Sequence, residues 1–552
     1  MKWQLLNSQV PQNQEELSQL LLTNRHLDQA DMFFEPIHPV QLTLKSVGID
    51  QDQAKLIVAR LFQAKTNQES VLIFGDYDAD GVCATAIMWL GLKEFGITAI
   101  PFISRREKHG YGISHAALDE ILVQTKPDLV ITVDNGIVAH SPIARLRDLG
   151  VDVIITDHHV PEAELPPANW VFHSTQLCGA TVAWMLVKEL LLYDQDYSSA
   201  LAELLDLAGI ATIADQVPLR AANRSFAQQG ITALGKTQRV GLQELFKVAK
   251  IDQTAIDTNT VNFGLAPRIN AMGRLEHGMD ALRLLCTNNR STAQALAEKL
   301  GNTNLKRQDL TYDMVSAAKL QAASWENEHI IIVHSTEFHE GVIGLIAGRL
   351  MEEYYKPAIA MSIKENKIKA SARSIAGVNI VELIREVRSD LLEVGGHPMA
   401  AGFGLAVEKL EIVSQRLRLL AKEKVAAQLL QPKIDIECLL PLSLTNVKIA
   451  QTLQKFEPYG QANPEPIFGW ENLQVLDAMT MGREAKHLKL VVADPSHLEE
   501  SINCIAWNQG NLVNQLQPGV KVNVAGTLNI NQWNGKVSLQ VMVKDLTINA
   551  HS

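Results

Sequence analysis

Cysteine is scarce in this sequence: five residues in 552, at Cys83, Cys178, Cys286, Cys438 and Cys504. Odd in number, widely spaced and never in a Cys-x-x-Cys pair, they argue against a disulfide framework and a thiolate zinc site. They read as small buried hydrophobes. No apolar run is long enough to cross a bilayer, and residues 1–11 lack the basic stretch and apolar core of an export signal. The expectation is a cytoplasmic chain without membrane contact. Positive charge is not in excess either, because the formal net charge is -11. That removes any global electrostatic reason to bind nucleic acid, so a phosphate-bearing partner must be held by bound cations or by a few placed Arg and Lys side chains. What is present is ordinary globular material, 47% hydrophobic and 20% charged. It suffices for several cores and fits about three to four domains.

Apolar runs of strand length at 71–74, 98–103, 129–133 and 151–156 alternate with helical patterns at 82–95, 114–125 and 141–149; a Pro-rich loop follows the last strand. Nearly continuous apolar strands separated by helices predict a parallel sheet covered on both faces. Helical stretches at 180–192 and 201–213 come next. The stretch 280–323 has little Gly and no Pro, which predicts long helices joining two lobes. A second strand-rich unit opens at 329, continues as a helix at 341–354 and a strand at 358–362, and reaches 395–403. From 433 the pattern changes to short strands at 488–492, 502–507, 520–528 and, after an Asn534-Gly535 turn, 536–543. These fit a small β-barrel of the oligonucleotide-binding (OB) type. The fold class expected is α/β, with a barrel at the C-terminal end.

Three acidic motifs sit at the same structural place. Strand 71–74 runs into Gly75-Asp76-Tyr77-Asp78-Ala79-Asp80-Gly81, strand 129–133 into Asp134-Asn135-Gly136, and strand 151–156 into Asp157-His158-His159. In an open parallel sheet the carboxyl ends of the strands line the ligand crevice, so these residues converge. An Asp after a strand is commonly a helix cap or turn residue, and Asp134 alone would be read so. Several carboxylates at one edge repel one another unless a cation neutralises them. Oxygen donors with one or two imidazoles suit Mn²⁺ or Mg²⁺ better than zinc. Two such ions about 3.5 to 4 Å apart can activate water and stabilise a leaving oxygen in phosphoryl hydrolysis.

Asp-Tyr-Asp-Ala-Asp-Gly, Val-Asp-Asn-Gly and Asp-His-His, in this order and spacing, resemble the DHH phosphoesterase superfamily. The segment 211–219, with Asp215, resembles its fourth motif. Pro267-Arg268-Ile269-Asn270-Ala271-Met272-Gly273-Arg274, Ser371-Ala372-Arg373-Ser374 and Gly395-Gly396-His397-Pro398-Met399-Ala400-Ala401-Gly402 extend the likeness to the RecJ family of single-strand DNA exonucleases. It covers the chain from about residue 45 to the end. The resemblance implies an N-terminal segment (1–45), a DHH catalytic domain (46–285), connecting helices (286–326), a DHH-associated α/β domain, DHHA1 (327–425), and an OB-fold domain (433–549).

It also implies a metal-dependent 5′ to 3′ exonuclease that degrades single-stranded DNA to mononucleotides in recombination and repair. Asp76, Asp78, Asp80, Asp134, His158 and Asp215 would hold two ions, Mn²⁺ or Mg²⁺, with Asp78, Asp80 and Asp134 bridging or shared. Asp157 would fix the tautomer of a neighbouring imidazole, and His159 would face the scissile phosphate. Two departures stand out: Phe74 occupies a place where many members carry a histidine ligand, and Phe172-His173-Ser174 replaces a longer loop.

On the substrate side, Arg106, Arg268, Asn270, Arg274, Ser371 and Arg373 are the candidates. Guanidinium forks match phosphate oxygens, and a pocket for the terminal 5′ phosphate would set direction and product size. Arg106 precedes Gly110-Tyr111-Gly112. Gly396 and His397 offer close backbone approach and a donor. In the barrel, Trp507, Trp533, Lys489 and Lys536, with His487 and Arg483 beside them, can supply stacking faces and phosphate contacts. The partners expected are single-stranded DNA, a helicase and a single-strand-binding protein, with the enzyme itself a monomer. The competing readings are a phosphoesterase of short oligonucleotides, and a DNA-binding scaffold of the same superfamily that has lost its metals. The first lacks a reason for the barrel, and the second is disfavoured because every acidic motif is kept.

Overall fold

Val71–Gly75 and Leu129–Val133 are buried at every position, and Asp152–Asp157 at all but its first. Side chains that alternate between two faces can all be buried only if both faces are covered. In the computed structural model, which describes residues 1–27, 30–110, 112–194, 198–533 and 536–549, they form the centre of a five-stranded parallel sheet. Its spatial order is Ala99–Ile103, Val71–Gly75, Leu129–Val133, Asp152–Asp157, Trp170–His173. Tyr111 and the Asn534-Gly535 turn lie outside the described residues, as do the side chains of Arg483, Trp533 and Lys536.

The chain leaves Val71–Gly75 for the neighbour on one side, then crosses back to Leu129–Val133 on the other. That reversal is the switch point where open α/β sheets bind ligands. Register aligns the carboxyl ends, with Gly75 opposite both Ile103 and Val133, Val133 opposite Thr156, and Asp157 opposite His173. One sheet face packs Leu72, Phe74, Val130, Val153 and Ile155 on Leu118, Ile121, Ile143 and Leu146. Helix Ala79–Phe95 is almost wholly buried and packs on helices Gly179–Asp194 and Leu205–Ala214.

Two compact units are present, and the first comprises His38–Val217 and Phe226–Pro432. Within it, helix Arg290–Ala322 has 33 residues and is about 50 Å long at 1.5 Å per residue. It leads to a second, mixed sheet ordered Glu393–His397, Ala400–Ala406, Lys367–Arg373, Ala358–Lys364, Ile331–Ser335. Helices Ile380–Arg385 and Leu410–Lys424 cover one face of that sheet and Ile343–Tyr354 the other.

The other unit comprises Met1–Ile37, Pro218–Ser225 and Lys433–Ser552. Its closed barrel runs Phe468–Met481, His487–Asp494, His497–Ala506, Lys536–Ile548, Lys521–Trp533, as the OB-type reading requires. Helix Gln14–Asn24 places Leu17, Leu20 and Leu21 in the same core as Leu453, Phe468 and Val524, where each buried leucine contributes about 1.5–3 kcal/mol. Strand Lys2–Leu5 pairs parallel with Lys433–Ile436. Arg25 and Glu437 form a buried ion pair at 2.8 Å. The Arg224 guanidinium donates to the carbonyls of Phe33, Phe456, Glu457 and Pro458, which holds the Pro218–Ser225 segment in this unit. No helix among the described residues is long and apolar enough to cross a membrane.

Candidate active site

The acidic loop turns the end of Val71–Gly75 into helix Ala79–Phe95. Asp78 is the helix cap, extended and accepting from the Gly81 N–H at 3.0 Å. Asp80 is buried, and its two oxygens accept from the Gly179 and Ala180 N–H groups, each at 2.7 Å. Those donors open helix Gly179–Asp194, where the helix dipole favours an anion. Only glycine fits at 179, because a Cβ there would lie 2.5 Å from Asp134 Oδ1. Asp76 is buried and accepts from Ser104 Oγ at 3.4 Å. Asp134 has φ +61°, a left-handed conformation that Asp tolerates better than most residues.

The ligand atoms converge in three groups, two triads and a set of four formed by Asp134, Asp157, His158 and His159. Those of Asp76, Asp78 and Asp134 lie within 4.8 Å of one another, and so do those of Asp80, His158 and Asp215. His158 Nε2 stands 3.1 Å from Asp134 Oδ1, 3.8 Å from Asp80 and 3.9 Å from Asp215. Asp134 Oδ1 is nonetheless buried without a hydrogen-bond partner. The short contact sets a carboxyl oxygen against an imidazole nitrogen. An orphaned buried acceptor costs about 1–3 kcal/mol, more if charged, and a cation between the donors removes that cost. The donor set of carboxylates and one imidazole fits Mn²⁺ or Mg²⁺.

Electrostatics agree with that fit. Burial first, then the Asp78 charge, pushes Asp76 up to about 8 and Asp80 up to about 7. Burial, then Asp80 and Asp78, pushes Asp215 up to about 9, and Asp134 is driven well above the carboxylate range by the same causes. His158 moves the other way: burial, then the neighbouring His159, lowers it to about 4. That favours the neutral ring, the form able to ligate a cation. Burial works against a charged His159, but the hydrogen bond from Nδ1 to Asp157 Oδ1 at 2.7 Å and that carboxylate's charge raise it. Asp157 also accepts from the N–H groups of Ile137, His158 and His159, and despite its burial it is held below the usual range. Its side chain is thus the hydrogen-bond partner of the His159 ring. Phe74 is fully buried and stacked on Phe102. The shortened segment after His159 forms the strand Trp170–His173, and His173 Nε2 meets the His159 carbonyl at 2.7 Å.

Beside the acidic loop lies an arginine cluster. Arg106 stands over the Tyr77 ring, 5.8 Å from its centre. Arg274 donates to the Gly341 carbonyl at 3.1 Å. Burial, then Arg106 and Arg373, lowers it to about 10, so these cations are gathered at mutual cost. Arg373 donates to Ser371 Oγ at 3.2 Å and to the Ala372 carbonyl at 2.8 Å. Register places His397 opposite Ala400 and Ala400 opposite Arg373, so Gly396 and His397 occupy the edge strand at the level of Arg373. Arg268 stands elsewhere: it donates to the Gly264 carbonyl, and burial lowers its pKa. Asn270 accepts from the Ala79 N–H at 2.8 Å, which ties its helix to the acidic loop.

In the barrel, Trp507 is exposed with its ring against His487, whereas Trp470 is core. Lys489 is half-buried on His487–Asp494. Sequence reasoning missed Ser104 and Tyr77. Ser104 was findable, since it follows a parallel strand at the same sheet edge as the acids.

Comparison with known proteins gives three family matches: the DHH family, N-terminal domain, at residues 70–212, the DHHA1 domain at 327–423 and the RecJ OB domain at 436–545. The chain is 35% identical over 501 residues to the single-stranded-DNA-specific exonuclease RecJ of Bacillus subtilis (strain 168), across 89% of this chain and 62% of that protein. To the RecJ of Salmonella typhimurium it is 32% identical, across 88% of this chain and 89% of that one. The crystal structure of RecJ with Mn²⁺ from Thermus thermophilus matches with a TM-score of 0.83 and 29% identity, covering 100% of this chain and 80% of that one. The same protein with Mg²⁺ matches with a TM-score of 0.76, at 28% identity and covering 100% of this chain and 79% of that one.

Proposed function

The chain belongs to the RecJ family of single-stranded-DNA-specific exonucleases, and from that premise we infer that it degrades single-stranded DNA from the 5′ end to mononucleotides, in recombination and repair. One observation carries the polarity: the arginine cluster and the first carboxylate triad share the Asp76-Tyr77-Asp78 segment. An anion gripped by Arg106, Arg274 and Arg373 is held beside the site of cleavage. A terminal 5′ phosphate is the anion that would make that distance a nucleotide step.

Asp76, Asp78 and Asp134 would hold one divalent ion and Asp80, His158 and Asp215 the other, with Asp134 between them. Bound there, the ions would supply an activated water and stabilise the leaving oxygen. The chain's own part is to position. Asp157 keeps Nδ1 of His159 as the donor toward itself and favours the imidazolium, which stabilises charge on a phosphate facing the ring. Asn270 steadies the acidic loop through Ala79. Trp507 offers a stacking face on the barrel. A helicase that unwinds ahead of the enzyme and a single-strand-binding protein are the partners this activity would use.

The test is a product assay with 5′-labelled and 3′-labelled single strands in Mn²⁺, with and without chelator. Labelled mononucleotide should leave at once from the 5′-labelled strand, the 3′-labelled strand should shorten progressively, and chelator should stop both. Preference for dinucleotides over long strands would instead favour the short-oligonucleotide reading.

The phosphate pocket makes a separate prediction. Arg373→Ala should raise KM for 5′-phosphorylated strands roughly tenfold, the worth of one charge-assisted hydrogen bond. KM for 5′-hydroxyl strands should not change. Steady-state kinetics on the matched pair of substrates checks this, and an equal loss on both would remove the pocket from the account.

A further inference from the structure

Immediately before the helix Ala266–Leu275, the residues Thr260–Leu265 form a π-helix. Such segments are rare and are frequently found at functional sites. This one presents Phe263 with 76% of its surface exposed. A lone exposed aromatic is ordinary, but the surroundings of this one are not. Its neighbour Asn262 accepts a hydrogen bond from Gln216 Nε2 at 3.0 Å, and Gln216, itself left-handed at φ +56°, directly follows the ligand candidate Asp215. Arg268, five residues on, donates to the Gly264 carbonyl of the π-helix, while its Nε is buried without a partner. An exposed aromatic face and a guanidinium thus lie on the segment that is hydrogen-bonded to the residue following Asp215.

The opposite end is marked by the arginine cluster. Arg274 closes the same helix, and Gly273 approaches the Tyr77 carbonyl so closely that a Cβ would lie 2.2 Å from it. From position 263 to position 274 is roughly 15 Å along the helix axis, so the two ends cannot serve the same nucleotide. With the terminal phosphate held at the Tyr77 end, a strand that follows this helix runs 3′-ward toward position 263. We propose that Phe263 is a stacking platform for a base on the 3′ side of the scissile linkage, with Arg268 contacting the adjoining phosphate, so that the helix 266–275 spans the strand on both sides of the cut. The proposal rests on the exonuclease reading and names the residue that recognises the retained strand.

Stacking is worth enough per base to change affinity severalfold to a hundredfold and is indifferent to sequence. Phe263→Ala should therefore raise KM for a 5′-phosphorylated single strand about tenfold, with kcat within about twofold. Phe263→Trp should match the wild type, while Phe263→Leu should behave as Ala. Because the ring is exposed, the thermal midpoint should stay put in all three. In the wild type, one abasic nucleotide, stepped from the second to the fourth position from the 5′ end, should reproduce the KM rise at a single position, and Phe263→Ala should show no further rise there. An unchanged KM in Phe263→Ala, full rescue by Leu, or losses that multiply at every abasic position would overturn the stacking site. A wild type that releases no nucleotide from single strands would overturn the exonuclease reading itself.

Discussion

Asp134→Ala should abolish hydrolysis, by at least about 10³-fold, and should leave single-strand binding within about threefold of the wild type, because phosphate contacts elsewhere would carry most of the affinity. The expectation follows from where its oxygens sit. They belong to the triad with Asp76 and Asp78, and Oδ1 also faces His158 of the other triad at 3.1 Å. Removing this carboxylate would take a candidate donor from both positions at once. The same residue gives an unusual stability signature. In chelator, a buried carboxylate held well above its ordinary range by burial and by Asp80 and Asp78 is a burden on the fold. Asp134→Asn, which keeps the shape and removes the charge, should therefore match or exceed the wild type in thermal midpoint while being as inactive as Ala. Single-turnover hydrolysis, fluorescence anisotropy with labelled oligonucleotide and calorimetry in EDTA check the three parts. Undiminished turnover, or a midpoint several degrees lower for Asn, would give Asp134 a structural role instead.

The acidic site was legible because it depends on one rule: strands apolar throughout lie inside a parallel sheet, and the loops that leave their carboxyl ends meet at one edge. Val71–Gly75, Leu129–Val133 and Asp152–Asp157 obey it. Trp170–His173 was hidden because three prolines precede it and four residues carry no period, so it read as loop. The barrel strand Phe468–Met481 escaped for a different reason. Register shifts between Trp470 and Leu473 and between Val475 and Asp477 break its alternation. The pairing of Lys2–Leu5 with Lys433–Ile436 joins opposite ends of the chain, which no local pattern can report. Side-chain roles were less legible than positions. Asn270 reads as a polar residue aimed at substrate, and only the fold shows its oxygen taken by the Ala79 N–H. Trp507 and Trp470 are the same residue type in the same domain, and burial alone separates an exposed ring from a core ring.

Without divalent ions the catalytic unit should lose stability as pH rises from about 6.5 to about 9, and Mn²⁺ should reverse the loss. Asp80, Asp76 and Asp215 are pushed up to about 7, about 8 and about 9, first by burial and then by neighbouring carboxylates. A carboxylate whose pKa is higher folded than unfolded binds more protons in the native state through the window between. Its contribution is complete below its ordinary value of 3.8 and is lost as pH passes the folded value. His158, lowered to about 4, contributes with the opposite sign, losing stability as pH falls below 6.5. The carboxylate effect is therefore cleanest above that point. Each pKa unit corresponds to about 1.4 kcal/mol, but mutual repulsion makes the carboxylates one coupled system whose terms do not add. A total of a few kcal/mol, or roughly ten degrees in thermal midpoint, is the scale expected. Because the ligands must shed those protons to bind a cation, Mn²⁺ affinity should rise roughly 100-fold between pH 6.5 and 8.5 if one proton is displaced. Calorimetric titration with Mn²⁺ in two buffers of different ionisation enthalpy measures the protons released, and thermal scans in EDTA across the same range measure the stability. A flat or rising metal-free midpoint, together with no proton release, would mean that the carboxylates are already ionised and kept apart, and the two-triad site would have to be abandoned.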